Sequence, residues 1–228
     1  MSGPDRSFVK GLMLHAFILG MLASFVPQAM AAQDAGTNRR EKALSDLQSG
    51  DAVLRASACA VLAEIGGQSE LAPLMGALHD SAEAVRQAAE QAIWRVWSRS
   101  GDEVADRIFG IGMSQMQDGN LPAAMETFGR VISLKPEFAE AWNKRATVYF
   151  LMGEDDLSLR DCAEVIKRNP QHFGVLAGYG QIHVRKGDLA TALDYFERAL
   201  DINPNMDGVR ASIDAIRKIL SKKQQRYI

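Results

Sequence analysis

The stretch that decides the fold is "GDLATALDYFERALDINP", Gly187–Pro204. Leu189, Ala192, Leu193, Phe196, Ala199 and Leu200 recur at the three- and four-residue spacing of one helix face. A glycine opens the stretch, and Pro204 closes it where a helix cannot continue. It holds no metal-ligand cluster, activated nucleophile or phosphate loop. The same punctuation recurs every 34 positions, at Pro204, Pro170 and Pro136 and likewise at Gly187, Gly153 and Gly119. Three windows therefore align without a gap, Ala105–Phe138, Ala139–His172 and Phe173–Met206. A fixed period of this length means repeated helix pairs that bury their apolar faces only by stacking. Each glycine ends one helix and starts the next, where the backbone needs a positive φ. The fold class this predicts is an all-α helical repeat solenoid.

These units resemble tetratricopeptide repeats. The third carries Gly180, Gly187, Ala192, Phe196, Ala199 and Pro204 at the pattern positions, and the first carries Gly112, Gly119, Ala124, Phe128 and Pro136. The second keeps Trp142, Ala146, Tyr149, Gly153 and Pro170 but departs at Ser158, Cys162 and Val165, which are still small or medium residues. Residues 207–228 follow, with Val209, Ile213, Ile216 and Leu220 at helix-face spacing and a basic end that suits the helix dipole. This segment looks like the capping helix and tail of such an array.

The resemblance implies that the first helix of each repeat lines a concave face used for binding. The matching positions give the candidate partner-binding set Phe109, Met113, Met116, Asn143, Thr147, Phe150, Gln181 and Val184. Phe109, Phe150 and Asn143 are expected to face the groove rather than the core. Some members of the family grip a peptide carboxylate with a basic and amide set. Here the corresponding positions hold Phe109, Met113, Lys144, Gly174 and Gly178, so that clamp is missing. The remaining apolar lining with a few amides suits an extended or helical apolar segment.

A weaker period lies upstream, in residues 32–101. "LRASACAVL" (Leu54–Leu62) and "VRQAAEQAI" (Val85–Ile93) align at an offset of 31, pairing Arg55 with Arg86, Ala58 with Ala89 and Leu62 with Ile93. Leu44 pairs with Met75 and Leu47 with Leu78 at the same offset, and Asp51 and Asp80 are expected as caps of the second helices. These units resemble short HEAT-like repeats; a plain helical bundle is the alternative. About twelve helices are expected in all. Trp94 and Trp97 are expected to pack at the junction of the two repeat types.

Residues 1–31 read as a signal peptide. Arg6 and Lys10 precede the 16-residue apolar run "GLMLHAFILGMLASFV", and "AMA" at Ala29–Ala31 has the small-x-small form of a cleavage site. The run is short for a membrane span, although an uncleaved anchor is the alternative. Cleavage after Ala31 predicts a periplasmic or secreted protein without a stable membrane span. The net charge of −2 provides no basic excess for nucleic-acid binding. Export brings a disulfide between Cys59 and Cys162 into consideration, but each sits in a helical pattern among small apolar residues, which favours two buried thiols.

No catalytic motif is present: GxxxxGK[ST], HExxH and GxSxG do not occur. His79, His172 and His183 are not paired at ligand spacing, and His183 reads as a partly buried ring. The M-x-x-M of Met113 and Met116 is better explained by packing than by Cu(I). "GEDDLSLRD" (Gly153–Asp161) reads as a solvated helix start. The expectation is a non-enzymatic adaptor, without cofactor or metal, that holds an unidentified protein or peptide in a concave groove. Two alternatives stand: an enzyme like the HEAT-repeat bilin lyases, and a self-assembling structural protein using the tail "SKKQQRYI".

Overall fold

The computed structural model describes residues 36–225. Residues 1–31, read above as a signal peptide, and the last residues of the tail lie outside this range. Among the described residues there are eleven α-helices, one short 3₁₀ turn (Gln68–Glu70) and no strand. About twelve helices were expected. The helices are α1 (36–46), α2 (Ala52–Ile65), α3 (Leu71–Ala77), α4 (Glu83–Trp97), α5 (Glu103–Gln117), α6 (Leu121–Leu134), α7 (Ala139–Met152), α8 (Asp155–Arg168), α9 (Phe173–Arg185), α10 (Leu189–Ile202) and α11 (Asp207–Gln225).

From α6 onward the repeat period is reproduced at the level of single residues. The second helices start at Leu121, Asp155 and Leu189, and end at Leu134, Arg168 and Ile202. Each is preceded by a left-handed glycine: Gly119, Gly153 and Gly187 have φ of 74°, 84° and 78°. A side chain at such a φ is strained, and glycine is not.

Within a repeat, the two helices close on a small residue facing a large one. A Cβ at Gly112 would lie 2.7 Å from the Phe128 ring, and one at Gly180 would lie 2.5 Å from the Phe196 ring. The middle repeat compensates for its sequence departure. Its small position is Ala146, and the facing residue is the smaller Cys162; both are buried. The Ser158 hydroxyl, also buried, donates to the Ala146 carbonyl at 2.8 Å, which satisfies both groups.

In residues 36–101, α2 packs against α4 around Leu62, Leu74, Leu78, Val85, Ala89 and Ile93. The offset of 31 is visible in the hydrogen bonds. Arg55 Nη1 donates to the carbonyls of Ser49 and Gly50; Arg86 Nη1 donates to those of Asp80 and Ser81, 31 positions on. Asp51 caps α2 by accepting from Val53 N. Asp80 is not the cap of α4, contrary to expectation. The N-cap is Ala82, and Asp80 receives the Ala82 amide together with a two-pronged bond from Arg55 at 2.7 and 2.8 Å.

The N-terminal helices do not simply precede the repeats; α4 lies against them. Arg86 Nε donates to Asn205 Oδ1 at 2.7 Å, and Asn205 Nδ2 donates to the Leu78 carbonyl. Trp94 and Trp97 pack on each other and on His172 and Phe173. A Cβ at Gly174 would be 2.5 Å from the Trp94 ring, so this glycine admits the indole. The expected core role of the tryptophan pair at the junction is what these contacts describe.

Candidate functional site: a groove between α7 and α9

Adjacent first helices α7 and α9 leave a cavity of about 190 Å³, lined by Asn143, Thr147, Phe150, Gly174, Gly178 and Gln181, with Ala146, Ser158, Cys162, Val175, Ala177 and Ile182 completing its walls. Gly174 and Gly178 lie one helical turn apart on α9; the bare face of Gly174 is taken by the Trp94 ring, and the room is at Gly178. A Cβ at Gly178 would meet nothing within 4 Å. The lining is largely apolar, with the Gln181 amide exposed at the rim and the Asn143 amide buried in the wall. Thr147 turns its hydroxyl back to the Asn143 carbonyl at 3.0 Å.

Four of the eight candidate residues come together here: Asn143, Thr147, Phe150 and Gln181. The other four do not. Phe109 is 5 % exposed, with its ring 5.6 Å from that of Phe128 and 5.2 Å from that of Phe138. It belongs to the core, which corrects its placement in the groove. The reason lies in α5, whose Ala105, Phe109 and Gly112 fall on one face, and that face is the buried one. Met113 and Met116 are half-buried against the same cluster. Val184 is exposed and lies outside the cavity lining. Asn143 lines the groove but is itself buried, which qualifies the expectation that it is free of the core. Phe150 is half-buried, with the Arg185 guanidinium 3.8 Å above its ring.

The acidic stretch after Gly153 is only partly solvated. Asp155 and Asp156 pair with Arg185 and Lys186 of α9. Asp161 is buried and takes two bonds from Arg145, at 2.7 and 2.8 Å, contrary to its reading as a solvated cap. Arg145 in turn lies over the rings of Trp142 and Tyr149. His183 is half-buried, as expected.

Sequence reasoning did not find the buried cluster beside the groove. Glu140 is 1 % exposed and accepts from Asn143 Nδ2 at 3.1 Å, Lys144 Nζ at 2.9 Å and His172 Nε2 at 2.9 Å. His172 Nδ1 accepts from the Val175 amide, which fixes the tautomer with the proton on Nε2. Burial works against the charge on Glu140, but the His172 hydrogen bond and the Lys144 charge outweigh it and hold the carboxyl below its ordinary range. The available signal was the step of 32 from Glu140 to His172, close to one repeat, which puts them at successive helix starts.

The groove offers little for catalysis. Burial pushes the Cys162 thiol up to about 12 and that of Cys59 to about 11, so neither supplies a thiolate near neutral pH. Both are free, buried thiols. Among the described residues there is no cluster of three or more His, Cys, Asp or Glu that could hold a metal, and no helix long and apolar enough to cross a membrane.

Residues 156–207 match the family model for a tetratricopeptide repeat. A TPR repeat-containing protein of Rhizobium etli is 35% identical over 108 residues, 47% of this chain and 53% of its own length. A small glutamine-rich tetratricopeptide repeat-containing protein of Dictyostelium discoideum is 24% identical over 134 residues, 59% of this chain and 40% of its own length. The chain thus spans about half the length of these two curated relatives. Among solved structures, the Sgt2 TPR domain from Aspergillus fumigatus superposes with a TM-score of 0.51 at 14% identity, over 54% of this chain and 83% of its own. The first TPR of Spaghetti (RPAP3), solved with the HSP90 peptide SRMEEVD, gives 0.50 at 19% identity, over 51% and 93%. The Yersinia enterocolitica type III secretion chaperone SycD, solved with a peptide of the translocator YopD, gives 0.50 at 17%, over 53% and 96%. The family model and the relatives support the tetratricopeptide resemblance of the repeats, and the solved structures share their fold.

Proposed function

We propose that the protein is an exported adaptor that holds a short segment of another protein in the groove between α7 and α9. The observation that carries this reading is the open space over Gly178 on an otherwise well-packed helix, with Phe150 and the exposed amide of Gln181 at its border. An apolar floor with few polar groups suits a partner's apolar side chains, with backbone bonds at the rim. The rigid helix pairs are already in place, so little ordering cost is added on binding. The solved proteins of the same fold that carry peptides, from HSP90 and from YopD, support a peptide as the occupant class. Export rests on the charged start, apolar run and "AMA" of residues 1–31. HEAT-like repeats in residues 32–101 rest on the offset of 31 and its paired arginine bonds.

Site-specific photo-crosslinking in the native host tests the reading. A photoreactive residue at Gln181, exposed on the groove rim, is expected to form a discrete adduct. The same residue at Ala163, exposed on α8, is expected to form none. Equal labelling from both positions, or adducts from Ala163 alone, would move the binding surface away from the groove.

A further inference from the structure

The first helix of the repeat array, α5, has an open flank. Val104, Ile108, Ile111 and Gln115 follow one another in steps of four, three and four residues, so they form one stripe along the helix. The stripe borders the buried face of Ala105, Phe109 and Gly112. Ile108 is half-buried, but Val104 is 57 % exposed and Ile111 50 %.

The later repeats show what this flank is shaped to meet. One period on, the same positions of α7 hold Phe138, Trp142 and Arg145, and α6 covers them. Phe138 is buried and Trp142 half-buried against the cluster that holds Phe128, Val131 and Ile132 of α6. A Cβ at Gly129 of α6 would lie 3.6 Å from the Arg145 guanidinium. Two periods on, Leu176 and Tyr179 of α9 are buried beside Ile166 and Leu159 of α8, and Tyr179 Oη donates to the Leu159 carbonyl at 3.2 Å. In both places the second helix of the preceding repeat lies on the stripe. No such helix precedes α5 in the array. The helix before it in the chain, α4, packs on α2, α3 and the start of α9 instead.

Two observations point to a second copy of this chain as the covering partner. The other end of the stack is closed, because α11 packs on α10 and buries Val209, Ile213 and Ile216. Copies therefore cannot stack head to tail, and pairing of two open ends gives a closed two-fold dimer. The charges beside the stripe are also self-complementary. The stripe itself is uncharged, and Arg107 and Asp118 lie along one edge of it, both exposed and without an ion-pair partner among the described residues. A two-fold axis at Ile111 runs the helices antiparallel and brings Arg107 of each copy within one turn of Asp118 of the other. Glu103 lies farther round α5, away from the seam.

We propose that the protein pairs with a second copy of itself through the Val104, Ile108 and Ile111 flank of α5, the two helices crossing at Ile111. This surface is separate from the groove, so a pair carries two grooves. A single helix stripe is a small interface, and weak association is expected, with a Kd of roughly 1–100 μM.

Sedimentation velocity of the full chain purified from its native host tests the pairing, at concentrations up to about 200 μM, beyond the expected Kd. The wild-type protein is expected to pass from monomer to dimer. Ile111→Glu should keep the helical signal and melting temperature and weaken association at least tenfold. Leu151→Glu, the same change at a 55 % exposed position of α7, should leave association unchanged. Ile111→Cys should give a covalent dimer with a short bis-maleimide and Leu151→Cys none, since the native Cys59 and Cys162 are buried and do not compete. A wild-type chain that stays monomeric throughout the range overturns the proposal, as does a dimer that Ile111→Glu leaves intact, whether the tail or another face holds it. If Ile111→Glu does not fold, cross-linking decides: equal yields from Ile111→Cys and Leu151→Cys, or none from Ile111→Cys, overturn the pairing.

Discussion

Replacing Phe196 by Ala probes the repeat packing most sharply. The ring is 1 % exposed and sits among Leu176, Ala192, Ala199, Ile213 and Ile216, against the bare face of Gly180. Truncation removes the ring from a site walled by the Gly180 backbone on one side and by the buried Leu176, Ile213 and Ile216 side chains around it, so collapse is limited and a cavity remains. Buried Phe→Ala changes of this kind cost about 3–5 kcal/mol. With a urea m-value of about 2 kcal/mol/M, the midpoint should fall by about 1.5–2.5 M. Gly180→Ala makes the opposite error. Its methyl would meet the ring at 2.5 Å, and such overpacking costs about 1–3 kcal/mol. In the double variant the new methyl enters the space the ring has left. The combined loss should therefore be smaller than the sum of the two by at least about 0.5 kcal/mol, the level at which contacting residues show coupling. Urea denaturation followed by circular dichroism measures all three. A loss below about 1 kcal/mol for Phe196→Ala, or strict additivity in the double variant, would refute this packing.

Three further expectations follow from the geometry. Gly153 has φ 84° and no atom near a prospective Cβ, so Gly153→Ala should cost only the left-handed strain, about 1–2 kcal/mol in thermal or urea unfolding. Glu140 has a lowered native pKa, so the unfolded chain takes up its proton first on acidification. The stability it contributes is complete above the unfolded value of about 4.3 and is lost as pH falls from there through the native value; a Glu140→Gln variant should lose less stability than wild type between pH 6 and pH 3.5. Cys59 and Cys162, buried and with thiols raised to about 11 and 12, should resist a thiol reagent at pH 7.5 until denaturant is added, and rapid native labelling of either would contradict their burial.

The repeats were legible because their signals are local. Gly119, Gly153 and Gly187 mark left-handed turns, Pro136, Pro170 and Pro204 mark helix ends, and neither depends on distant parts of the chain. Four of the twelve groove residues were legible for the same reason: Asn143, Thr147, Phe150 and Gln181 hold repeat positions that face one side. Phe109 failed because α5 is the first of its kind and turns its apolar face to α6 and α7, where Phe128 and Phe138 enclose the ring. Gly178 went unrecognised as a groove-maker because open space is a property of two helices together. The packing of α4 on the start of α9 and the Arg86–Asn205 bond join parts of the chain that are far apart in sequence, and no short pattern announces such contacts.

The central claim is that the space between α7 and α9 is the working surface. Gly178→Leu tests it directly, since a Cβ there meets nothing and leucine favours a helix over glycine. The variant should fold with an unchanged or higher melting temperature while filling the groove. Binding of a peptide selected from a displayed random library against the wild-type chain, measured by calorimetry, should weaken at least tenfold, equivalent to about 1.4 kcal/mol. An unchanged affinity in a fully folded Gly178→Leu protein would contradict the account.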